Sequence, residues 1–361
     1  MTSHERSQLD NAMTELLDAH ASPLLIRADE GKWSRELWSV LDGFGAFGLG
    51  LDPDFGGVGG TSWDAACAIR VGARHATPMP LAEAVLLGGW ALTRERLSLP
   101  EGPLTAAVPM TDDVLTGTRE GESLRVDGSM AGVAWARFAT SVVALCNLDG
   151  GHAVISLPTA SLLVDPDVNL AGEPRDRIVA AGVLVPAGSW APTELTPSAF
   201  LDRAIACRAL AICGAGERVL ELTVQFTKLR HQFGRPLSSF QATQQSLAQL
   251  GGAVAAAQGA AHIATRALSA SDAHTCHRDA VTSKIVASES ASKIAALAHQ
   301  LHGAIGMTSE YDLQLYTRRL WSWRDEYGTE HQWSREYGRL VAAEDENAWH
   351  GLVPLVPAPG G

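Results

Sequence analysis

The feature that most limits the fold is a change of texture along the chain. Short β-branched runs fill the middle third, and helical periodicity flanks it on both sides. From about Leu9 to Leu99 apolar residues recur three and four apart: Leu16, Leu17, Ala19 and Leu24, then Leu37, Val40 and Leu41, then Ala65, Ala66, Ile69 and Val71. That spacing aligns them on one face of amphipathic helices. The Gly- and Pro-rich stretch Leu51–Asp64 interrupts the pattern. Between about Gly102 and Ala191 the runs Ser141–Cys146, His152–Leu157, Leu162–Val164 and Ile178–Val185 read as strands, with Asp149-Gly150-Gly151 as a hairpin turn. From Pro197 the helical spacing returns in longer stretches, through Val219, Leu222, Phe226 and Leu229, then Leu247, Leu250 and Val254, then Ile294, Leu297 and Leu301. Ala and Gly crowd Gly251–Ala261, as helices in close approach require. The tail Val353–Gly361 is Pro/Gly-rich and expected to be loose. A chain of 361 residues exceeds one simple core. The expectation is an α+β fold with an N-terminal helical domain over 1–101, a middle β-domain over 102–196 and a C-terminal four-helix bundle over 197–361.

Charge and cysteine usage narrow the function classes. The net charge is −12, and the pair Arg318-Arg319 is the largest cationic cluster. Such a surface argues against nucleic acid and anionic membranes as partners. No run of 18 apolar residues suggests membrane insertion. The polar first ten residues do not read as a secretory leader, so a cytoplasmic location is expected. Five dispersed cysteines without a C-x-x-C pair suit reduced thiols. His274, Cys276 and His277 read as a polar interhelical loop, and no metal is expected there or elsewhere.

The most informative segment is LRHQFGRPLSSFQATQQSLAQL, Leu229 to Leu250. One helix ends near His231, Gly234 and Pro236 break the chain, and a second helix starts near Ser238 or Ser239, with Ser as N-cap. Arg230, Gln232 and Phe233 then share an exposed corner beside a helix N-terminus. A guanidinium and free backbone N–H groups there suit a pyrophosphate. A helical hairpin with a surface Arg is the plainer alternative.

This segment resembles the R-x-x-F-G-(K/R)-P/L-x-x-x-Q motif of the acyl-CoA dehydrogenase superfamily. In that family the Arg and Phe reach the FAD of a neighbouring subunit and the Gln lies near its adenosine, which implies Arg230, Phe233 and Gln241 here. HQLHGAIGMTSEYDLQLYTRR, His299 to Arg319, is similar to the family's Q-x-x-G-G-x-G-(F/Y)-x-x-E stretch, which passes close to the dinucleotide across the subunit interface. Gln300, Leu301, His302, Gly303 and Ala304 take those positions, with Ala304 in place of the second Gly and Gly306 matching the third. The N-terminal stretch GAFGLGLDPDFGGVGGTSWD and the Pro78-Met79-Pro80 beyond it resemble family segments as well. The resemblance implies an acyl-CoA or acyl-carrier thioester as substrate and an electron-transfer flavoprotein as acceptor. It also implies a tetramer, built from this chain alone or with a homologous subunit.

The resemblance also implies a catalytic base, and here the sequence departs from the family. The usual Glu before Gly-Thr aligns with Tyr327 in RDEYGTEHQW, and Thr329, Glu330 and His331 would pass near the cofactor. Only about one phenol in a thousand is ionised at pH 7, a penalty of roughly 4 kcal/mol. The alternative base position, on the helix entering the bundle, is Ala204, flanked by Asp202 and Arg203. This leaves three readings. Glu326 swings in as base; Asp202 serves from the helix, against a rotation of about 100° per residue; or the chain is the base-lacking subunit of a heteromeric dehydrogenase. The flavin-facing T-E-P-x-x-G-S-D segment has no counterpart, and AAVPMTDD (Ala106–Asp113) sits roughly there. A flavin monooxygenase on the same scaffold and a non-catalytic partner that completes another subunit's FAD site are the alternatives to a dehydrogenase. Trp321, Trp323 and Trp333 are read as packing residues and Arg318 as a salt-bridge residue.

Overall fold

The computed structural model describes residues 3–22, 26, 31–110 and 114–343. Leu24, Thr111–Asp113 and the tail Val353–Gly361 lie outside the described residues. The fold is α+β, with helices on either side of a sheet in chain order.

Helices α1 (Ser3–His20), α2 (Arg35–Gly43) and α3 (Ser62–Arg74) precede a π-helical stretch, Glu83–Gly89, that runs into α4 (Trp90–Arg94). Asp64 anchors the start of α3 by accepting the Thr61 backbone N–H at 2.7 Å. The π-helical stretch is buried throughout. Departures of this kind from the α-helix concentrate at functional sites, and its first residue, Glu83, belongs to a buried cluster of charges between the layers.

The sheet comprises β1 (Leu104–Ala106), β2 (Val114–Glu120), β3 (Ser123–Ala134), β4 (Ser141–Leu148), β5 (Gly151–Pro158), β6 (Leu163–Asp165), β7 (Arg175–Val185) and β8 (Trp190–Thr193). Its order is β6-β7-β3-β2-β4-β5-β8, with β1 pairing β4 in parallel. Leu148 pairs with Gly151 across the expected hairpin, and Gly150 supplies the left-handed conformation at φ +86°. Strand β4 explains its own unbroken apolar run. Val142, Ala144 and Cys146 enter a core inside the β-layer, whereas Val143 and Leu145 join the core shared with the helices. A strand buried on both faces has no polar alternation.

The C-terminal helices are α5 (Pro197–Leu229), α6 (Gln241–Ser269), α7 (Ala273–His302), α8 (Leu313–Asp325) and α9 (Glu330–Ala343). Thr196 caps α5 by accepting the Ala199 N–H at 3.2 Å, with Pro197 at its first turn. Helix α3 crosses α5 at Gly214, where a Cβ would lie 1.9 Å from the Arg70 carbonyl oxygen, so no larger residue fits. Among the described residues no helix is long and apolar enough to cross a membrane.

Three local expectations need correction. Ser238 and Ser239 lie in a 3-10 turn and do not cap α6; Phe240 holds that position without a side-chain bond. His274, Cys276 and His277 are helical, because Asp272 caps α7 just ahead of them by accepting the Thr275 N–H at 2.8 Å. Leu229, expected on the packed face of α5, is 72% exposed at the helix end.

Candidate functional site

Two features stand out: a buried cluster of paired charges between the layers, and an exposed corner at one end of the bundle.

The buried cluster is centred on Arg208 of α5, which is 3% exposed. Its Nη2 donates to Glu83 Oε1 at 2.5 Å and its Nε to Glu326 Oε2 at 2.6 Å. Arg175, at the start of β7, donates through Nε to Glu326 Oε1 at 2.8 Å and through Nη2 to Glu173 at 3.1 Å. Arg319 of α8 donates to Glu173 at 3.2 Å, and the Trp323 indole N–H adds a bond of 2.9 Å. Three carboxylates therefore face three guanidinium groups, and the cluster is neutral without outside help. The remaining cavity, bounded by Met79, Glu83, Trp135, Arg175, Arg208 and Trp323, has about 40 Å³. That is room for a few waters and far too little for a flavin ring.

Glu326 does not have the properties of a general base. Burial pushes its pKa up, but Arg175 and Arg208 outweigh burial and hold it at about 2, against an ordinary 4.5. Asn169 adds a hydrogen bond to the same carboxylate at 2.9 Å. A carboxylate so stabilised has little affinity for a proton. Glu326, expected to swing in as base, is held by both arginines in this structure. Tyr327 is no better placed. Burial raises its phenol above the ordinary 10, and its hydroxyl accepts from Arg208 at 3.2 Å. Ala204, the alternative position expected for a base, lies one turn before Arg208 on α5. Asp202 is engaged elsewhere, accepting from His277 Nδ1 at 2.8 Å.

The chain around Tyr327 is tightly shaped. Tyr327 has φ +60° and Gly328 φ +101°, two successive left-handed residues of which the first carries a side chain. The Trp333 indole donates to the Tyr327 carbonyl at 3.0 Å. The Thr329 N–H donates to Gln332 Oε1 at 2.8 Å, and the Thr329 carbonyl accepts from Trp333, so Thr329 opens α9. Glu330 is half-buried and His331 exposed on the first turn of α9. Trp321 stacks on His299 with ring centroids 5.6 Å apart, so the three clustered Trp residues all have packing or hydrogen-bonding work.

At the exposed corner, α5 ends and a hairpin runs from His231-Gln232 to Arg235-Pro236. Arg230, Gln232 and Phe233 are exposed, Phe233 at 92%, and Gln241 is exposed on the first turn of α6. Among the described residues no ion-pair partner for the Arg230 guanidinium is seen. The segment from Gln300 meets the same end of the bundle: His302 of α7 stacks on Phe226 of α5 at 4.4 Å, one turn before Arg230. Gln300, Gly303 and Ala304 are exposed, Leu301 is half-buried, and Gly303 has φ +64°. His302 departs from expectation. It is 5% exposed, its Nδ1–H donates to the Ala298 carbonyl at 2.8 Å, and Tyr311 covers its other side at 5.0 Å. Its ring packs against Phe226 and Tyr311.

Sequence reasoning missed Glu83, Glu173, Arg175, Arg208 and Lys284. The signal was there for three of them. Arg208 interrupts AIACRALAICGAG, Glu83 interrupts PLAEAVLLGG and Lys284 interrupts AVTSKIVAS. A single charge inside an otherwise apolar helical run is seldom buried unless it is paired. Glu173 lies in a Gly/Pro-containing loop and Arg175 opens β7, neither with such contrast.

The family model described as acyl-CoA dehydrogenase, C-terminal domain, matches residues 198–330. Acyl-CoA dehydrogenase IpdE2 of Mycobacterium tuberculosis is 30% identical over 347 residues, spanning 87% of this chain and 90% of the relative. The chain belongs to the acyl-CoA dehydrogenase family. Family membership makes it an oxidoreductase of the class acting on CH–CH bonds. The ChsE4-ChsE5 complex from Mycobacterium tuberculosis has the same fold, with a TM-score of 0.84 at 21% identity over 96% of this chain and 99% of that one. Butyryl-CoA dehydrogenase from Megasphaera elsdenii gives a TM-score of 0.81 at 18% identity over 95% and 99%.

Proposed function

We propose that this acyl-CoA dehydrogenase family member is a subunit of an FAD-dependent assembly that oxidises an acyl thioester to its α,β-enoyl form. In that assembly it lends residues to a dinucleotide seated partly on a homologous subunit, and that subunit supplies the base. The observation that carries this reading is the Arg208 guanidinium fixed between Glu83 and Glu326, beside a Tyr at one family base position and one turn from an Ala at the other.

The residues at the exposed corner fit FAD. Arg230 is a solvent-facing cation whose charge complements a pyrophosphate, and Gln300 offers an amide with both donor and acceptor. Phe233, extended into solvent, supplies a flat apolar face for a partner's cofactor. Gln232, Gln241, Leu301, Gly303, Ala304, Thr329, Glu330 and His331 are assigned to the surrounding surface. FAD, when bound, would accept the hydride from the β-carbon of the substrate. The cavity beside the charge cluster, about 40 Å³, is too small for a flavin ring. The electron-transfer flavoprotein is assigned as acceptor and a cytoplasmic location is assigned to the whole. The family resemblance supports the acceptor.

The test is expression of the chain alone and together with each homologous dehydrogenase subunit, then a visible spectrum and anaerobic addition of acyl-CoA. Flavin bleaching in a mixed assembly supports the reading. Full bleaching by the chain alone would make it a self-sufficient enzyme.

A further inference from the structure

Lys284 of α7 is fully buried, yet no carboxylate is within bonding reach of its ammonium among the described residues. Nζ donates instead to three backbone carbonyls: Trp323 at 2.8 Å, Arg324 at 2.8 Å and Glu326 at 2.9 Å. These lie at the C-terminal end of α8, where carbonyls lack helical partners and carry the negative end of the helix dipole. Ser288, one turn on, donates to the Arg324 carbonyl at 3.3 Å, and Ser292, two turns on, accepts from Arg324 Nη1 at 3.2 Å. One face of α7 thus grips the end of α8.

Immediately beyond that helix end lies the turn with two left-handed residues, Tyr327 and Gly328. Glu326 enters it anchored at three points. Its N–H donates to the Ser322 carbonyl, its carbonyl accepts from Lys284, and its carboxylate is shared by Arg175 and Arg208. We propose that the Lys284 ammonium is the positioning group for the 326–329 turn, and that the turn is held in this shape only while that ammonium keeps its proton. An ammonium has three donors for three carbonyls. A neutral amine has two, and its lone pair would face the third oxygen.

Several groups act on the proton. Burial pulls the Lys284 pKa from 10.5 to about 7, while Glu326 raises it, Arg208 of α5 lowers it, Asp325 raises it and Arg324 lowers it. The turn leads into α9 through Thr329, so its shape reaches the segment assigned to the cofactor surface. That consequence rests on the proposed function, whereas the geometry of the turn does not.

Hydrogen exchange of the full-length protein, read by mass spectrometry on peptides covering 322–330 and corrected for intrinsic rates, separates the two. In the wild type, protection of this segment should fall about tenfold between pH 6 and pH 9, while a peptide from the interior of α5 stays unchanged. In Lys284→Met the segment should already be about tenfold less protected at pH 6 and show no further change with pH. Constant wild-type protection across the range, or a Lys284→Met profile equal to wild type, overturns the proposal. If the variant fails to fold, the wild-type titration decides alone. No flavin is needed for the readout, so a failed cofactor assignment would leave this result intact.

Discussion

Arg208 Nε donates to Glu326 Oε2 at 2.6 Å, and the other arm of the same guanidinium holds Glu83 at 2.5 Å. Breaking one side of a buried pair leaves uncompensated charge, a loss of about 3–5 kcal/mol. Arg208→Met is therefore expected to lower the thermal unfolding temperature sharply. The double variant Glu83→Gln, Arg208→Met should recover most of that loss, because it removes one charge of each sign and leaves Glu173 and Glu326 facing Arg175 and Arg319. A double variant less stable than Arg208→Met would refute the role given to charge.

Glu326→Gln tests the role of the carboxylate in chemistry. With its pKa held at about 2, Glu326 serves as an anion for two arginines. The assembled variant should unfold at lower temperature yet keep the rate of flavin bleaching by acyl-CoA within about twofold, since no proton moves through this group. Lost reduction with flavin retained would reassign Glu326 as the base.

The same clamp predicts the acid dependence. The folded pKa of Glu326 lies below its ordinary 4.5, so its contribution to stability is complete above pH 4.5 and is lost as pH falls toward 2. The difference in unfolding temperature between wild type and Glu326→Gln should shrink over that window. A constant difference would show that the pairing does not depend on the carboxylate charge.

The fold class was legible in the sequence because three textures were plain: the β-branched runs, the hairpin at Asp149-Gly150 and the long Ala-rich helices. Strands β2 and β3 were not, because Gly117, Gly128 and Gly132 and scattered charges break their alternation. The cofactor corner was readable as a local motif. The charge cluster was not, since Glu83, Arg175, Arg208 and Glu326 come from four separate segments that only the packed layers unite. The burial of His302 was hidden for a similar reason, since its contacts with Phe226 and Tyr311 come from other segments.

Arg230 is exposed, so its loss should leave folding untouched. Arg230→Ala in the assembled protein is expected to weaken flavin retention by about tenfold to a hundredfold, the worth of one charge-assisted bond. Flavin content after gel filtration, compared with the unfolding temperature, checks this. Unchanged flavin content would remove Arg230 from the cofactor surface.

The most direct measurement is the number of flavins per chain in a purified assembly, combined with anaerobic acyl-CoA titration. If this chain completes a site seated on a homologous subunit, the count should be one reducible flavin for each pair formed with that subunit, and none for this chain alone. One reducible flavin per chain in a homomeric preparation would contradict the account.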